Sequence, residues 1–305
     1  MKLGKIISNP IKVVPKVEEP QSVQLLTPIN YYGGKTNLAP KILQLIPPHE
    51  VYTECFFGGG AVFFAKEPVK IEAINDTNDE VINFYRTCKK EFKALSAELD
   101  KTLFSEKEHQ RASMIYNNPK KYTNVERAWA LLVLSQQSFL NIIDNSWKFQ
   151  RQRNTAMGFQ NKKEMIDQRY LKRLERTQIF NRDANRVLEN MDTPDTFHFI
   201  DPPYFQANMG HYDGYTEKDF EQLLKTCQNL VGKFMLTTFP SPILEKYRKR
   251  NKWYQFQIKM PSSAKTGNHL TGNEGMKIEV ITMNYKPTRD MVSLFEEKLK
   301  PRMAA

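Results

Sequence analysis

Residues 51–64 read VYTECFFGGGAVFF. A β-branched and aromatic run meets three glycines, and a second apolar run follows. Residues 51–55 have the composition of a buried strand, and a helix is expected to begin within the second run. Gly58, Gly59 and Gly60 sit at the handover, where the missing Cβ permits a tight turn and lets a ligand approach the backbone. A further short strand, Ile71–Asn75, ends at Asp76, eighteen residues after Gly58. At that spacing a carboxylate can accept hydrogen bonds from ribose hydroxyls.

The pattern repeats outward from this unit. Strand-like runs occur at 178–182, 196–200, 233–238, 253–259 and 278–284, with helical stretches at 36–46, 79–97, 217–230 and 241–250. In 36–46, Leu38, Ile42, Leu45 and Ile46 form one stripe. Alternating strands and helices predict an α/β sheet covered on both faces. Residues 85–177 break the alternation with a helical, basic insertion holding ERAWALLVLSQQSFL and NSWKFQRQRNTAMGFQNKK. The expected organisation is a leader over 1–26, a catalytic domain over 27–84 and 178–290, the insertion over 85–177, and a tail over 291–305. A terminal amphipathic helix at 288–300 is expected to serve packing.

The net charge is +11, and 85–177 hold 19 Lys and Arg against 10 Asp and Glu. Positive charge gathered in one segment fits a polyanion partner, and a solvated basic surface fits it equally well. No run approaches the ~20 apolar residues that cross a bilayer, so a cytoplasmic protein without a membrane partner is expected. Three cysteines (Cys55, Cys88, Cys227) and five scattered histidines show no metal-ligand spacing, and no metal is expected.

Residues 198–205, HFIDPPYF, end an apolar strand on a carboxylate, two prolines and an aromatic ring. This suits an exocyclic amine on an adenine, whose lone pair is delocalised into the ring. Asp201 and the Pro202 carbonyl can each accept one amino hydrogen, favouring a pyramidal nitrogen, while the prolines fix the backbone that aims them. Tyr204 can stack on the base, worth ~1–3 kcal/mol in comparable systems. Methyl transfer to such a nitrogen needs neither a covalent nucleophile nor a metal. The base has to leave the duplex stack to be reached. The glycine loop fits a methyl donor better than a nicotinamide dinucleotide, because GxGxxG would require glycine at Phe63. Upstream, INYYGGK sets Gly33, Gly34 and Lys35 before a helix, a place that attracts a carboxylate such as the amino-acid end of S-adenosylmethionine. Asp183, after the next strand, reads either as a partner for the donor's adenine or as a helix N-cap.

Together, YYGGK, ECFFGGG, AINDTND and DPPYF resemble, in order, the GGK motif, EPFxGxG loop, acid-bearing segment and catalytic motif of the Dam-type DNA adenine-N6 methyltransferases. The resemblance covers roughly residues 27–290, with Cys55 where the family usually has proline. It implies a Rossmann-like, mostly parallel seven-stranded sheet with one antiparallel strand, S-adenosylmethionine as cofactor, and double-stranded DNA as substrate. It also implies that Tyr32 and Lys35 line the donor's methionine end and that Phe56, Gly58 and Gly60 form its loop. Asp76 would hold the ribose, Asp183 would lie near the adenine, and Asp201, Pro202 and Tyr204 would be catalytic. The insertion is similar to the family's only loosely, through SFLNIIDNSWKF and GFQNKK. Within it, Arg151, Arg153, Asn154, Lys162 and Lys163 are the expected DNA contacts, since arginine and asparagine read base edges and lysine holds phosphate. A cognate restriction endonuclease is a possible partner. Three alternatives stay open: a cytosine-N4 methyltransferase (usually SPPY), a glutamine-modifying protein methyltransferase (more often NPPY), and a catalytically silent DNA-binding module.

Overall fold

Strands rich in aromatic and β-branched residues assemble into one sheet. They are β1 (Val51–Glu54), β2 (Ile71–Asn75), β3 (Thr177–Phe180), β4 (Thr196–Ile200), β5 (Lys233–Thr238), β6 (Tyr254–Pro261) and β7 (Met276–Met283). The structure is a computed structural model describing residues 25–31, 33–143, 145–205, 214–261 and 276–299. Tyr32, the leader up to residue 24 and the tail from residue 300 lie outside the described residues. The strand order is β3-β2-β1-β4-β5-β7-β6. The pairs from β3 to β5 are parallel, while β7 runs antiparallel to both β5 and β6. This is the expected seven-stranded, mostly parallel sheet, with β7 the reversed strand. Every residue of β1 and β4 is buried, as befits central strands covered on both faces.

The helices are α1 (Ala39–Ile42), α2 (Ala61–Ala65), α3 (Asp79–Lys90), α4 (Phe92–Lys101), α5 (Glu106–Asn117), α6 (Asn124–Gln137), α7 (Thr155–Met165), α8 (Gln168–Glu175), α9 (Ala184–Met191), α10 (Glu217–Asn229), α11 (Pro242–Asn251) and α12 (Arg289–Leu299). Side-chain alternation along the strands splits the core in two. Met235 and Ile281 join one cluster with residues of α1, α2, α3, α6 and α12, while Phe234, Leu236 and Val280 join the other with α9, α10 and α11.

Two expected helices differ in extent. The 36–46 stretch gives only α1 and one 3-10 turn, Leu43–Leu45, before Pro47 and Pro48. The 79–97 stretch breaks at Glu91, whose φ of −129° leaves the helical region, and α4 then buries Leu95 and Leu99.

The insertion does not fold apart from the sheet. Val62, Phe84, Trp129 and Phe159 belong to one buried cluster. Helix α6, buried at every position from Ala128 to Gln137, carries this core, and its Arg127 forks onto Glu80 of α3 with Nη2 at 2.7 Å. At its far end, α8 sends Arg173 under the sheet to Glu72 of β2, which also receives Lys66 Nζ at 2.7 Å. Arg173 Nη2 reaches Glu72 Oε1 at 2.8 Å and the Phe63 carbonyl at 3.1 Å.

Candidate active site

Parallel α/β sheets bind ligands beyond their carboxyl ends, where neighbouring strands send their chains in opposite directions. Here that point lies between β1 and β4. The glycine turn leaves β1, and Asp201 is the first residue after β4.

Asp201 is held from several sides. Lys35 Nζ lies 2.7 Å from both carboxylate oxygens and 2.9 Å from the Gly33 carbonyl. Thr237, from the end of β5, donates its hydroxyl to Oδ1 at 2.7 Å. The Tyr204 hydroxyl stands 3.4 Å from the same oxygen, and the Tyr204 ring packs edge-on against Phe239 at 4.5 Å. Lys35 is only 4% exposed. Burial works hardest against its charge, but Asp201 and its hydrogen bond, with Tyr204 and Glu279, together outweigh it and hold the ammonium well above the usual lysine value. Burial likewise pushes the Tyr204 phenol well up, so the ring is neutral. Lys35 was expected at a bound carboxylate end. In the structure its ammonium sits on Asp201.

The glycine turn meets β2 through two side chains. Asp76 accepts from the Gly58 amide at 2.8 Å and the Asn78 amide at 2.9 Å. Burial raises its pKa, an effect these amides oppose. Asn75, fully buried, donates to the carbonyls of Cys55 at 2.9 Å and Arg182 at 3.0 Å, and accepts from the Arg182 amide at 2.9 Å. It thereby ties together the ends of β1, β2 and β3. Glu54 accepts from the Phe63 amide at 3.0 Å and the Tyr52 hydroxyl at 2.7 Å, fixing the start of α2, and burial pushes its pKa up to about 8. Glycine is required here by the protein's own packing. A Cβ on Gly58 (φ +46°) would come 2.8 Å from the Tyr31 ring, and one on Gly60 (φ +64°) 2.4 Å from Phe57. The helix that follows is just five residues long.

Beyond the turn, Phe56 packs edge-on against Tyr215 at 6.3 Å. The Tyr215 hydroxyl is buried and has no hydrogen-bond partner among the described residues. Asp183 lies within electrostatic reach of Tyr215 and Cys55. It also caps α9 by accepting from the Arg186 amide at 3.3 Å, so the N-cap reading is realised, and its exposure leaves the ligand reading open.

The expected DNA contacts divide. Arg151 and Arg153 are exposed. Asn154 is exposed too, but its side chain caps α7, accepting from the Met157 amide at 3.0 Å. Lys162 and Lys163 turn inward. Lys162 donates to the Thr27 carbonyl at 2.7 Å, and burial lowers its pKa to about 8. Lys163 donates to the carbonyls of Leu99 at 3.0 Å and Thr102 at 3.1 Å. In this geometry both lysines pin α7 to the body of the protein rather than present free charge to phosphate. Upstream of the two arginines, a hairpin bridged at Ser138 and Trp147 leaves Phe139 and Leu140 exposed, with Leu140 at a φ of +56°.

Thr237, Asn75, Glu54 and Tyr215 escaped the sequence reading. Asn75 ends β2 and Thr237 stands one residue before the end of β5, both at the binding edge, a position that is the one signal that could have marked them.

A sheet ordered 3-2-1-4-5-7-6 with the seventh strand reversed is the methyltransferase form of the Rossmann-like fold. The chain belongs to the D12 class N6 adenine-specific DNA methyltransferase family, which it matches over residues 31–266, and its reaction is the N6 methylation of adenine in DNA. It is 27% identical to the type II methyltransferase M1.LlaDCHI of Lactococcus lactis subsp. cremoris over 273 residues, covering 83% of this chain and 93% of that one. It is 30% identical to a DNA N-6-adenine-methyltransferase of Escherichia phage P1 over 131 residues, 42% of this chain and 16% of the phage protein. A solved precorrin-6y C5,15-methyltransferase from Geobacter metallireducens GS-15 superposes with a TM-score of 0.35 at 10% identity, over 80% of this chain and 85% of that one. That likeness is too remote to add to the fold assignment.

Proposed function

We propose that Asp201, the Pro202 carbonyl and Tyr204 receive an adenine extruded from double-stranded DNA. Asp201 and the Pro202 carbonyl accept its two N6 hydrogens, and Tyr204 stacks on its face. The observation that carries this reading is a carboxylate held at the switch point of the sheet by Lys35 and Thr237, with a neutral aromatic ring beside it. Accepting both hydrogens localises the nitrogen lone pair. Asp201 then takes up the proton that methylation makes acidic. Extrusion is favoured because N6 cannot reach a strand-end carboxylate from inside a stacked duplex.

As a methyltransferase of this fold, the enzyme uses S-adenosylmethionine. When bound, that cofactor supplies an electrophilic methyl group. The residues present fit it: Asp76 stands at the end of β2 for ribose, and the Phe56 ring packs on Tyr215, whose buried hydroxyl has no partner among the described residues, near Asp183. Tyr215→Phe is therefore expected to weaken S-adenosylmethionine binding about five- to tenfold, the scale of one hydrogen bond. Its unfolding free energy should not drop, since the hydroxyl has no partner to lose among the described residues. Calorimetric titration and chemical denaturation of the same variant check both halves.

Arg151, Arg153 and the exposed Phe139 and Leu140 are proposed as the DNA face, because exposed positive charge and exposed apolar surface both occur in this part of the insertion. A restriction endonuclease of matching specificity is proposed as a partner, in line with the type II relative. The test is transfer of labelled methyl from S-adenosylmethionine to a panel of duplexes, with modified bases mapped by sequencing. N6-methyladenine in one sequence context is expected. Label on cytosine, or no incorporation across the panel, would overturn the reading.

A further inference from the structure

The first described segment, residues 25–31, crosses the glycine turn and is gripped from its other side by the insertion. Thr27, 5% exposed, is the residue on which both contacts meet. Its hydroxyl faces the carbonyls of Gly59 and Ile29, the latter at 2.7 Å, so one hydrogen ties the turn to the segment. The approach is close enough to dictate a residue type. Gly59, unlike Gly58 and Gly60, has no positive φ, so its own conformation does not ask for glycine. A Cβ there would come 2.8 Å from Thr27 Oγ1 and 2.9 Å from the Ile29 carbonyl oxygen. The Tyr31 ring covers Gly58 in the same way, and its hydroxyl accepts from Asn78 at 3.3 Å.

Three helices of the insertion hold this segment. Lys162 of α7 donates to the Thr27 carbonyl at 2.7 Å, Tyr170 of α8 donates to the Leu26 carbonyl, and Gln136 of α6 accepts from Asn30 at 3.0 Å. Thr27 is thus bonded at both ends, its carbonyl to the insertion and its hydroxyl to the turn. Two hydrogen bonds in series join α7 to the backbone of Gly59. A turn released from such a tether samples more conformations, and a ligand that needs one of them then spends binding free energy on reordering it.

We propose that Thr27 and Lys162 are positioning residues for the methyl donor: they hold the glycine turn in the shape that binds S-adenosylmethionine, so a lysine of the insertion sets cofactor affinity rather than DNA affinity. This rests on the glycine turn and Asp76 being the donor site. Both residues act through Gly59, and neither touches the donor in this scheme.

Calorimetric titration of the full-length enzyme with S-adenosylmethionine makes the test. Thr27→Val, which keeps the branched shape and removes the hydroxyl, is expected to weaken binding about three- to tenfold, the scale of one hydrogen bond. Thr27→Ser restores the donor and should bind within about twofold of the parent. Lys162→Met should show a loss similar to that of Thr27→Val. Its DNA affinity should keep the parent's dependence on salt, whereas loss of a lysine held on phosphate would reduce the slope by about one. In both variants kcat at saturating cofactor and DNA should stay within about threefold, as for groups that act on ground-state binding. A merely structural role would lower the unfolding free energy and leave cofactor affinity and KM alone. The two variants cut the path at separate bonds, so one decides the matter if the other does not fold. Unchanged cofactor affinity in either, or a shallower salt slope in K162M, would overturn the proposal when Asp76→Ala loses affinity. If Asp76→Ala also binds like the parent, the reading of the donor site beneath it falls instead.

Discussion

Asp201→Ala is expected to lower the rate of methyl transfer by about a thousandfold or more, with S-adenosylmethionine still binding within a few-fold of the parent. Deleting one preorganised hydrogen-bonding group that acts on developing charge costs ~10²–10³ in kcat. Here the same deletion also removes the acceptor for the departing proton, so the upper end is expected. Cofactor affinity is spared because the proposed donor contacts lie elsewhere on the edge, at Asp76, Phe56 and Tyr215. One complication is built into the site. Lys35 is buried, and its ammonium sits on Asp201. Removing the carboxylate leaves that charge poorly compensated, so Asp201→Ala should also unfold at lower denaturant concentration. The double variant K35M/D201A separates the effects. It should regain stability without regaining turnover. Single-turnover transfer, cofactor titration and chemical denaturation of both proteins make the check. Measurable transfer by the single variant would remove Asp201 from the chemistry.

What could be read from the sequence follows from which interactions are local. The glycine turn, the acid after β2 and the DPPY strand end are each contiguous, so residue type and spacing announced them. The strand order could be anticipated only through resemblance, because pairing of β1 with β4 joins residues some 145 positions apart, as in the Thr53–His198 bond. The same reason hid Thr237 and Asn75. Each is an unremarkable polar residue until the sheet brings it to the binding edge. The contacts of the lysines are hidden for a related reason. Lys162 and Lys163 count toward the basic surplus of the insertion, yet long side chains at a helix end can reach carbonyls of a neighbouring segment, and both do. Composition reports charge and says nothing about where the ammonium points. Lys35 shows the same limit from the other side: its motif is contiguous, while its bond to Asp201 joins residues 166 positions apart.

The largest expected effect on stability belongs to Glu72, which no motif contains. Its carboxylate, 1% exposed, receives Lys66 from beyond α2 and Arg173 from α8, themselves 5% and 7% exposed. Lys66 also lies 4.4 Å over the Tyr52 ring and Arg173 4.1 Å over that of Phe63. Burial lowers the Lys66 pKa against the pull of Glu72. Glu72→Gln should lower the unfolding free energy by about 3–5 kcal/mol, because two buried cations lose their shared counter-charge. The triple variant K66M/E72M/R173M should lose far less, or gain about 1–4 kcal/mol, since apolar residues of similar volume need no desolvation of charge. A difference between the two variants would show that the triad's desolvation nearly cancels its attraction, and equal losses would show that its geometry is worth more than the cost of burying it. Function is linked to this cluster by a short path. Arg173 donates to the Phe63 carbonyl, and the Phe63 amide donates to Glu54, which anchors the helix leaving the glycine turn. Loosening α8 should therefore weaken cofactor binding as well as the fold, and the triple variant, lacking Arg173, should show the binding defect without most of the instability. Equilibrium denaturation and cofactor titration on the same preparations distinguish a cluster that only stabilises from one that also holds the turn in register.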